Sequence, residues 1–585
     1  MNQQLFELLY YIKVNQIQSI SIMAKELKYS YYIVSKLKKQ LMSLGYIDNY
    51  SITNEGINAL KPYKVDNAII MAAGMSSRFV PLSLEKPKGL LEVKNEILIE
   101  RQIQQLLDAK IKDIIIVLGY KKEMFYYLKD KFPSLTLIIN DEYNTKNNTN
   151  SLYLVRDYLK NSYICSSDDY FSENVFKEYV YSSYYSSIYV NEKTNEWYME
   201  KDKNNLIKKI SLSGEDGYIM LGHVYYNHQF SDKMKNLLEE NKQTHLYDSC
   251  LWEQILKDHL DEFPPMQVKE YDSNIIHEFD SLEELRQFDY RYLTDSQSNI
   301  MKNIARYFKC CEKDITNFKS IKEGMTNDSF VFKVNNQYYV YRHPGDGTNE
   351  IINREHEQKA LAIAKSIDID PTFIYMDKNE GWKISNFVDG FRMPNYQDFE
   401  DTKIVMRLLR RLHSKNIQVD WMFDPYKEAL ILEKKVQEKR GIKLDDYQEI
   451  KDRVVKIHQQ VVNDGVTPRF CHCDVYSPNL LFTDKEPILI DWEYAGNADP
   501  GCDVAVYVMC AVYSIDEAKK LIKEYLQETY TESLEYHYLA YVAICSFYWM
   551  TWALYREICG KDVKEALNNW HKMAKEYSEY LIKKD

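Results

Sequence analysis

From Val65 onward, short β-branched runs alternate with amphipathic helical stretches, and that alternation commits the middle of the chain to an α/β architecture. Residues 68–71, 114–118 and 135–139 read as strands, and the segment closes near Asp289 after a helix-like stretch over 282–288. Residues 294–299 are polar and read as a linker. Beyond them the order changes. Strand-like pieces at 330–334 and 338–342 come first, and the chain turns mainly helical after Val388. A length of 585 residues asks for about two to four domains. The shifts in pattern place them at 1–64, 65–292 and 293–585.

Residues 1–64 stand apart in charge. They hold eight Lys, no Arg and four Asp or Glu, a local balance of +4 in a chain whose net charge is −12. Helical spacing appears over 4–13, 20–27 and 31–44, with Ile33, Leu37, Leu41 and Leu44 on one stripe, followed by Gly45-Tyr46-Ile47 and a short extended piece. This resembles a winged helix-turn-helix domain with 31–44 in the recognition position, which implies DNA contact through Lys36, Lys38 and Lys39. The missing arginines and the acidic whole favour instead a docking or dimerising appendage. Ten cysteines without regular spacing fit a reducing compartment. No basic segment precedes an apolar stretch at the N-terminus, and nowhere do ~18 apolar residues run together. The expectation is a cytoplasmic protein without membrane insertion; nothing in the sequence sets an oligomeric state.

The first chemical signal is Met71-Ala72-Ala73-Gly74-Met75-Ser76-Ser77-Arg78, with Lys88 ten residues beyond Arg78 in Lys86-Pro87-Lys88. A buried strand running into small residues lets backbone N–H groups approach a triphosphate, and Arg78 and Lys88 supply cations for it. The pattern resembles the sugar-phosphate and choline-phosphate nucleotidyltransferases, although Ser76 stands where most of that family has glycine. Asn147-Asn148-Thr149-Asn150-Ser151-Leu152-Tyr153 resembles a segment of the bacterial CTP:phosphocholine cytidylyltransferases, which adds Asn148 and Ser151 to the nucleotide contacts. The resemblance implies magnesium on Asp168 and Asp280, in Ser167-Asp168-Asp169-Tyr170 and His277-Glu278-Phe279-Asp280. It implies that Trp197 and Trp252 help hold a trimethylammonium group.

In the third segment, His472-Cys473-Asp474-Val475-Tyr476-Ser477-Pro478-Asn479 precedes the apolar Ile488-Leu489-Ile490 and then Asp491-Trp492-Glu493-Tyr494. This resembles the signature shared by choline kinases and aminoglycoside phosphotransferases. It implies that Asp474 meets the acceptor hydroxyl, while Asn479 and Asp491 hold magnesium against ATP phosphates. Cys471-His472-Cys473 lacks a second ligand cluster at metal spacing, so His472 is read as a brace rather than a zinc ligand. Residues 323–330 resemble the phosphate-covering loop of bacterial choline kinases, Arg342 takes the cation position on its strand, and Glu355 is its expected partner. Glu493 suits a cationic acceptor. Trp549 and Trp552 share a helical face, with Tyr555 one turn on, and resemble the Trp-x-x-Trp that boxes choline. Aromatics at helical spacing are also what a core needs. With eight Trp in the whole chain, however, two placed so close favour the cage.

Together these readings predict a multidomain α/β and α+β chain. It would hold a small winged helix, a Rossmann-like nucleotidyltransferase domain with a mixed, mostly parallel sheet, and a two-lobed protein-kinase-like domain. The expected activity phosphorylates choline with ATP and transfers a cytidylyl group from CTP to the phosphocholine, with Mg2+ at both sites. Three alternatives stay open: an ethanolamine-specific version of the same pair, a sugar-phosphate nucleotidyltransferase fused to an aminoglycoside-type kinase, and a regulator that senses these ligands.

Overall fold

The computed structural model describes the chain except Tyr50, residues 322–326, Asp346, Asp562 and Asp585, and except the side chains of Asn349 and Lys584. It divides into two compact units, Met1–Lys313 and Asp314–Asp585. The helix Asn299–Phe308 lies in the first unit, where Glu85 accepts the backbone N–H of Asn299 at 2.9 Å. The boundary between the compact units falls at 313/314.

The first unit is organised around the strand Asn67–Ala72, which pairs in parallel with Ile114–Leu118 on one side and Ser162–Ser166 on the other. Thr136–Ile139 extends the parallel core. These strands are covered on both faces, which is why Ala-Ile-Ile-Met and Ile-Ile-Ile-Val-Leu read as continuous apolar runs instead of alternating ones. Gly217–Tyr226 then joins antiparallel to Ser162–Ser166 and carries Tyr184–Val190 and Tyr198–Lys201; Gln267–Glu270 beside the former and Ile207–Ser211 beside the latter complete a mixed nine-stranded sheet. In open α/β sheets ligands gather at the carboxyl ends of the parallel strands. The loops that follow Ala72 and Ser166 emerge there.

Residues 1–64 form helices Gln3–Asn15, Ile20–Glu26, Tyr31–Ser43 and Asn54–Leu60. Ser19, Ser30 and Thr53 each cap a helix by accepting a backbone N–H. The buried stripe of Tyr31–Ser43 keeps the expected Leu37 and Leu41 with Val34 in place of Ile33, and Leu44 is 47% exposed because the helix has already ended. Where a wing is expected, the described residues form an antiparallel bridge from Ile47 to Ile52, with the Thr53 N–H donating to the Tyr46 carbonyl at 3.0 Å. The first helix packs on the sheet domain, with Lys13 Nζ 3.0 Å from Glu178 and Phe6 against Tyr63 and Tyr181.

The second unit begins with a five-stranded antiparallel sheet in the order Thr316–Ile321, Asp328–Val334, Gln337–His343, Lys383–Asn386, Phe373–Met376, with helix Arg354–Ser366 between its third and fourth strands in sequence. A helical lobe follows. Its centre is Glu532–Ile558, a 27-residue helix buried nearly all round, as expected for a helix that is hydrophobic on every face. Among the described residues no helix is long and apolar enough to cross a membrane.

Candidate active sites

In the first unit, the loop after Ala72 turns through Ser76 in the left-handed region, at φ 48°. A side chain there costs about 1–2 kcal/mol relative to glycine. Ser76→Gly is therefore expected to stabilise this unit by up to about 1 kcal/mol once the entropy of glycine is subtracted. Denaturant titration reads it, and a loss of stability would mean that the hydroxyl makes an interaction of its own.

The loop lines a cleft of about 490 Å³. Ala72, Ala73, Gly74, Ser76, Ser77, Arg78, Lys88, Asn148, Ser151, Asp168 and Asp280, all singled out from sequence, line it together. Lys88 is 6% exposed and its Nζ lies 2.7 Å from Asp168; Arg78 lies 3.0 Å from Asp280. Burial pulls the Lys88 pKa down, but the Asp168 carboxylate more than restores it, leaving it raised. Each expected phosphate cation thus sits on an expected metal carboxylate. Sequence reasoning passed over Glu278, which lines the cleft two residues before Asp280. Its carboxyl is pushed up to about 7, first by desolvation within the cleft and then by the charge of Asp168. Asp169, fully buried behind Asp168, is also raised by burial.

Two aromatic expectations fare differently here. Trp252 is 4% exposed and stacks on Tyr185, and neither it nor the half-buried Trp197 is among the residues lining the cleft. What Trp252 brings to the site is its backbone N–H, which donates to Asn148 Oδ1 at 2.8 Å.

In the second unit, Arg342, Asp474, Asn479 and Asp491 line a cleft of about 1100 Å³ under the sheet. Asn479 Nδ2 donates to Asp474 Oδ2 at 3.0 Å, which leaves its carbonyl oxygen as the one atom it can offer a cation. Desolvation, then Asp491 and Glu493, push Asp474 well above the carboxylate range, as suits a group that must take a proton. Burial raises Asp491 too, but Lys383 and Arg342 outweigh it and hold this carboxyl below its ordinary value. His472 accepts the Asp474 N–H through Nδ1 at 3.2 Å, and its Nε2 meets the Ile490 carbonyl at 2.9 Å, so it ties the two acidic loops together. Cys471 lies near His413 and Asp503, not in a set with His472 and Cys473. Asp503 accepts the backbone N–H groups of His472 at 3.0 Å and Cys473 at 2.6 Å. It thereby holds Cys473 at φ 65°, a strained conformation just before Asp474. No local motif announced that residue.

Two expectations are corrected, the partner of Arg342 and the role of Glu493, and the expected aromatic cage is found buried. Arg342 pairs with Glu357 at 2.5 Å, not with Glu355, which is exposed and lies 3.3 Å from Lys359. Helix Arg354–Ser366 buries Arg354, Glu357, Ala360, Leu361 and Ala364, so a helical period counted from Arg354 selects Glu357. Glu493 is taken up by Arg342 at 3.3 Å and Asn327 Nδ2 at 3.0 Å, and is not presented to an acceptor. Trp549, Trp552 and Tyr555 are 4%, 1% and 0% exposed. The two indoles pack with Trp570 and Tyr494, while Tyr555 donates to Glu350 at 2.8 Å. Of the loop expected over the phosphates, residues 323–326 lie outside the described residues.

Removing Glu357 leaves buried Arg342 short of a counter-charge, a change that costs about 3–5 kcal/mol in buried pairs. Glu357→Gln is expected to cut phosphoryl transfer at least about tenfold, whereas Glu355→Gln stays within about twofold, as surface pairs do. Equal effects in steady-state assays would return the role to Glu355.

Comparison with known proteins matches a different family in each unit. Residues 67–187 match the nucleotidyl transferase family and residues 388–537 the phosphotransferase enzyme family. A choline-phosphate cytidylyltransferase of Streptococcus pneumoniae is 34% identical over 222 residues, 38% of this chain and 96% of that protein. A 2-aminoethylphosphonate cytidylyltransferase of Lancefieldella rimae is 31% identical over 245 residues, 41% of this chain and 96% of that protein. Among solved structures, the choline kinase LicA from Streptococcus pneumoniae matches with 20% identity and a TM-score of 0.43, covering 48% of this chain and 100% of that one. The chain belongs to the nucleotidyl transferase family through its first unit, with a phosphotransferase-type kinase unit joined to it.

Proposed function

We propose that this chain makes CDP-choline: the kinase unit phosphorylates choline with ATP, and the first unit joins the phosphocholine to CTP with release of pyrophosphate. The observation that carries the reading is the fusion itself. Both cytidylyltransferase relatives act on a small amino compound bearing a phosphorus group. A kinase supplies such a group by phosphorylating an alcohol. A phosphonate already carries its phosphorus on carbon and needs no kinase, so the second unit favours an amino alcohol.

Asp168 and Asp280 in one cleft, and Asn479 and Asp491 in the other, offer oxygen donors only, the set a hard cation such as Mg2+ takes. When bound, the cation offsets charge on the phosphate oxygens. The chain's own groups do the rest. Lys88 and Arg78 meet the triphosphate as their carboxylate partners turn to the metal. Asp474, fixed by Asn479 and by the His472 ring, takes the proton from the choline hydroxyl as the terminal phosphoryl group of ATP is transferred. We place the activity in the cytoplasm, where ATP and CTP are available; all ten cysteines are free. Residues 1–64 serve as a docked appendage of the first unit.

Choline over ethanolamine rests on the resemblance of Trp549 and Trp552 to a Trp-x-x-Trp pair; to receive a trimethylammonium group the two indoles would have to part from Trp570 and Tyr494. Trp552 Nε1 donates to Tyr494 at 2.9 Å, so Trp552→Phe leaves a smaller aromatic ring and loses that bond. It is expected to raise the choline KM about tenfold, a change of about 1.4 kcal/mol, while the ATP KM stays within about twofold. Equal changes in both constants would remove the indoles from the acceptor site. The deciding assay incubates the purified chain with choline, ATP, CTP and Mg2+, with ethanolamine in parallel. CDP-choline and pyrophosphate support the reading; product from ethanolamine alone overturns the choice of choline.

A further inference from the structure

Beside Arg342 the kinase cleft holds a second cation that no part of the motif accounts for. Lys383 stands on Lys383–Asn386, directly across from Arg342 in the strand register, and is 8% exposed. Its Nζ lies 2.8 Å from Asp491 Oδ1, the same oxygen that Arg342 Nη1 reaches at 2.8 Å. Both residues line the cleft with Asp474 and Asn479. An ammonium this buried needs a carboxylate partner, and here the partner is the residue expected to hold the metal. The first unit repeats the arrangement with Lys88 and Asp168 at 2.7 Å.

We propose that Lys383 is a second phosphate-binding cation of the kinase site, one that pairs with the metal carboxylate before nucleotide binds and passes to the nucleotide phosphates when they arrive with the metal. The inference rests on reading this unit as an ATP-dependent kinase. Two cations on one oxygen of Asp491 oppose the approach of a divalent ion by itself. A nucleotide brings several negative oxygens at once, which draw the ammonium off the carboxylate and leave that carboxylate for the cation they carry. Arg342 is held by Glu357 and Glu493 and stays in place; Lys383 has a flexible stem and, among the described residues, a single acidic partner within 4 Å. Loading would then be ordered, with metal and nucleotide entering together.

The test is a Mn2+ titration of the full-length protein without nucleotide, followed by electron paramagnetic resonance. Each protein is compared with its own Asp491→Asn counterpart, so that binding in the other cleft subtracts out. Lys383→Met is expected to tighten the Asp491-dependent Mn2+ binding at least about tenfold, because a like charge at close range has been removed. It should also raise the ATP KM about tenfold and leave the choline KM within about twofold. Lys383→Arg, which keeps the charge, is expected to match the unsubstituted protein in Mn2+ binding. Mn2+ binding unchanged or weakened in Lys383→Met, or an unchanged ATP KM, overturns the proposal, since a residue that only braces the fold would move neither in this direction. If Lys383→Met loses its kinase fold by circular dichroism, Lys383→Gln carries the same two expectations. Failure of the unsubstituted protein to bind ATP in equilibrium dialysis would instead overturn the kinase reading itself.

Discussion

Asp474→Ala is expected to lower choline phosphorylation by about 10³-fold or more while transfer from CTP to added phosphocholine stays within about twofold. Asp474 is the carboxylate in the kinase cleft that Asn479 holds by its amide and His472 braces through the backbone, and its pKa is raised toward the range where it can accept a proton. Alanine removes the proton acceptor and leaves Asn479 without its side-chain partner. The other cleft is built from residues of the first compact unit alone. A coupled assay for phosphocholine and a pyrophosphate assay for the second step, run on one preparation, read both numbers. Parallel loss in a folded variant would mean that the two sites depend on each other.

Lys88→Met should do the reverse. Lys88 is nearly buried, touches Asp168, and stands beside Arg78, Asp280 and Glu278 around one cleft. Loss of a preorganised group aimed at developing oxyanion charge costs about 10²–10³ in rate, or about 2.7–4 kcal/mol. Cytidylyl transfer is expected to fall by that amount with choline phosphorylation unchanged. Lys88→Arg should recover little. The space is tight, since a Cβ on the adjacent Gly89 would meet Ser167 Oγ at 2.8 Å, and a planar guanidinium does not fit where an ammonium on a thin stem does. Recovery of most of the rate by arginine would show that charge alone suffices there.

Both expectations start from residues legible without coordinates, and the reason lies in the chemistry. A loop that must approach phosphates uses small residues, and a metal needs oxygen donors at fixed distances from a strand end. Ala72 to Arg78, Lys88, Asp168, Asp280, Asp474, Asn479 and Asp491 are therefore written into short stretches, and the structure gathers each set on one cleft. The errors share another cause. Glu355 and Glu357 are equally acidic and two residues apart, and only the face that helix Arg354–Ser366 turns inward separates them. Glu493 sits in the right motif, yet Arg342 and Asn327, distant in sequence, take its charge. Trp252 belongs to a matched stretch but stacks in the core.

By itself, then, the sequence determined the class of each unit and picked out residues that the structure gathers on two clefts. Periodicity and short motifs are local properties, and local geometry is enough to specify them. Tertiary structure alone decided which charges neutralise one another. Lys383 faces Arg342 because two strands pair in one register, and Asp503 reaches the catalytic loop from a helix about thirty residues away in the chain. A buried charge must find its counter-charge wherever the fold brings one, and the linear order of residues carries no record of that meeting.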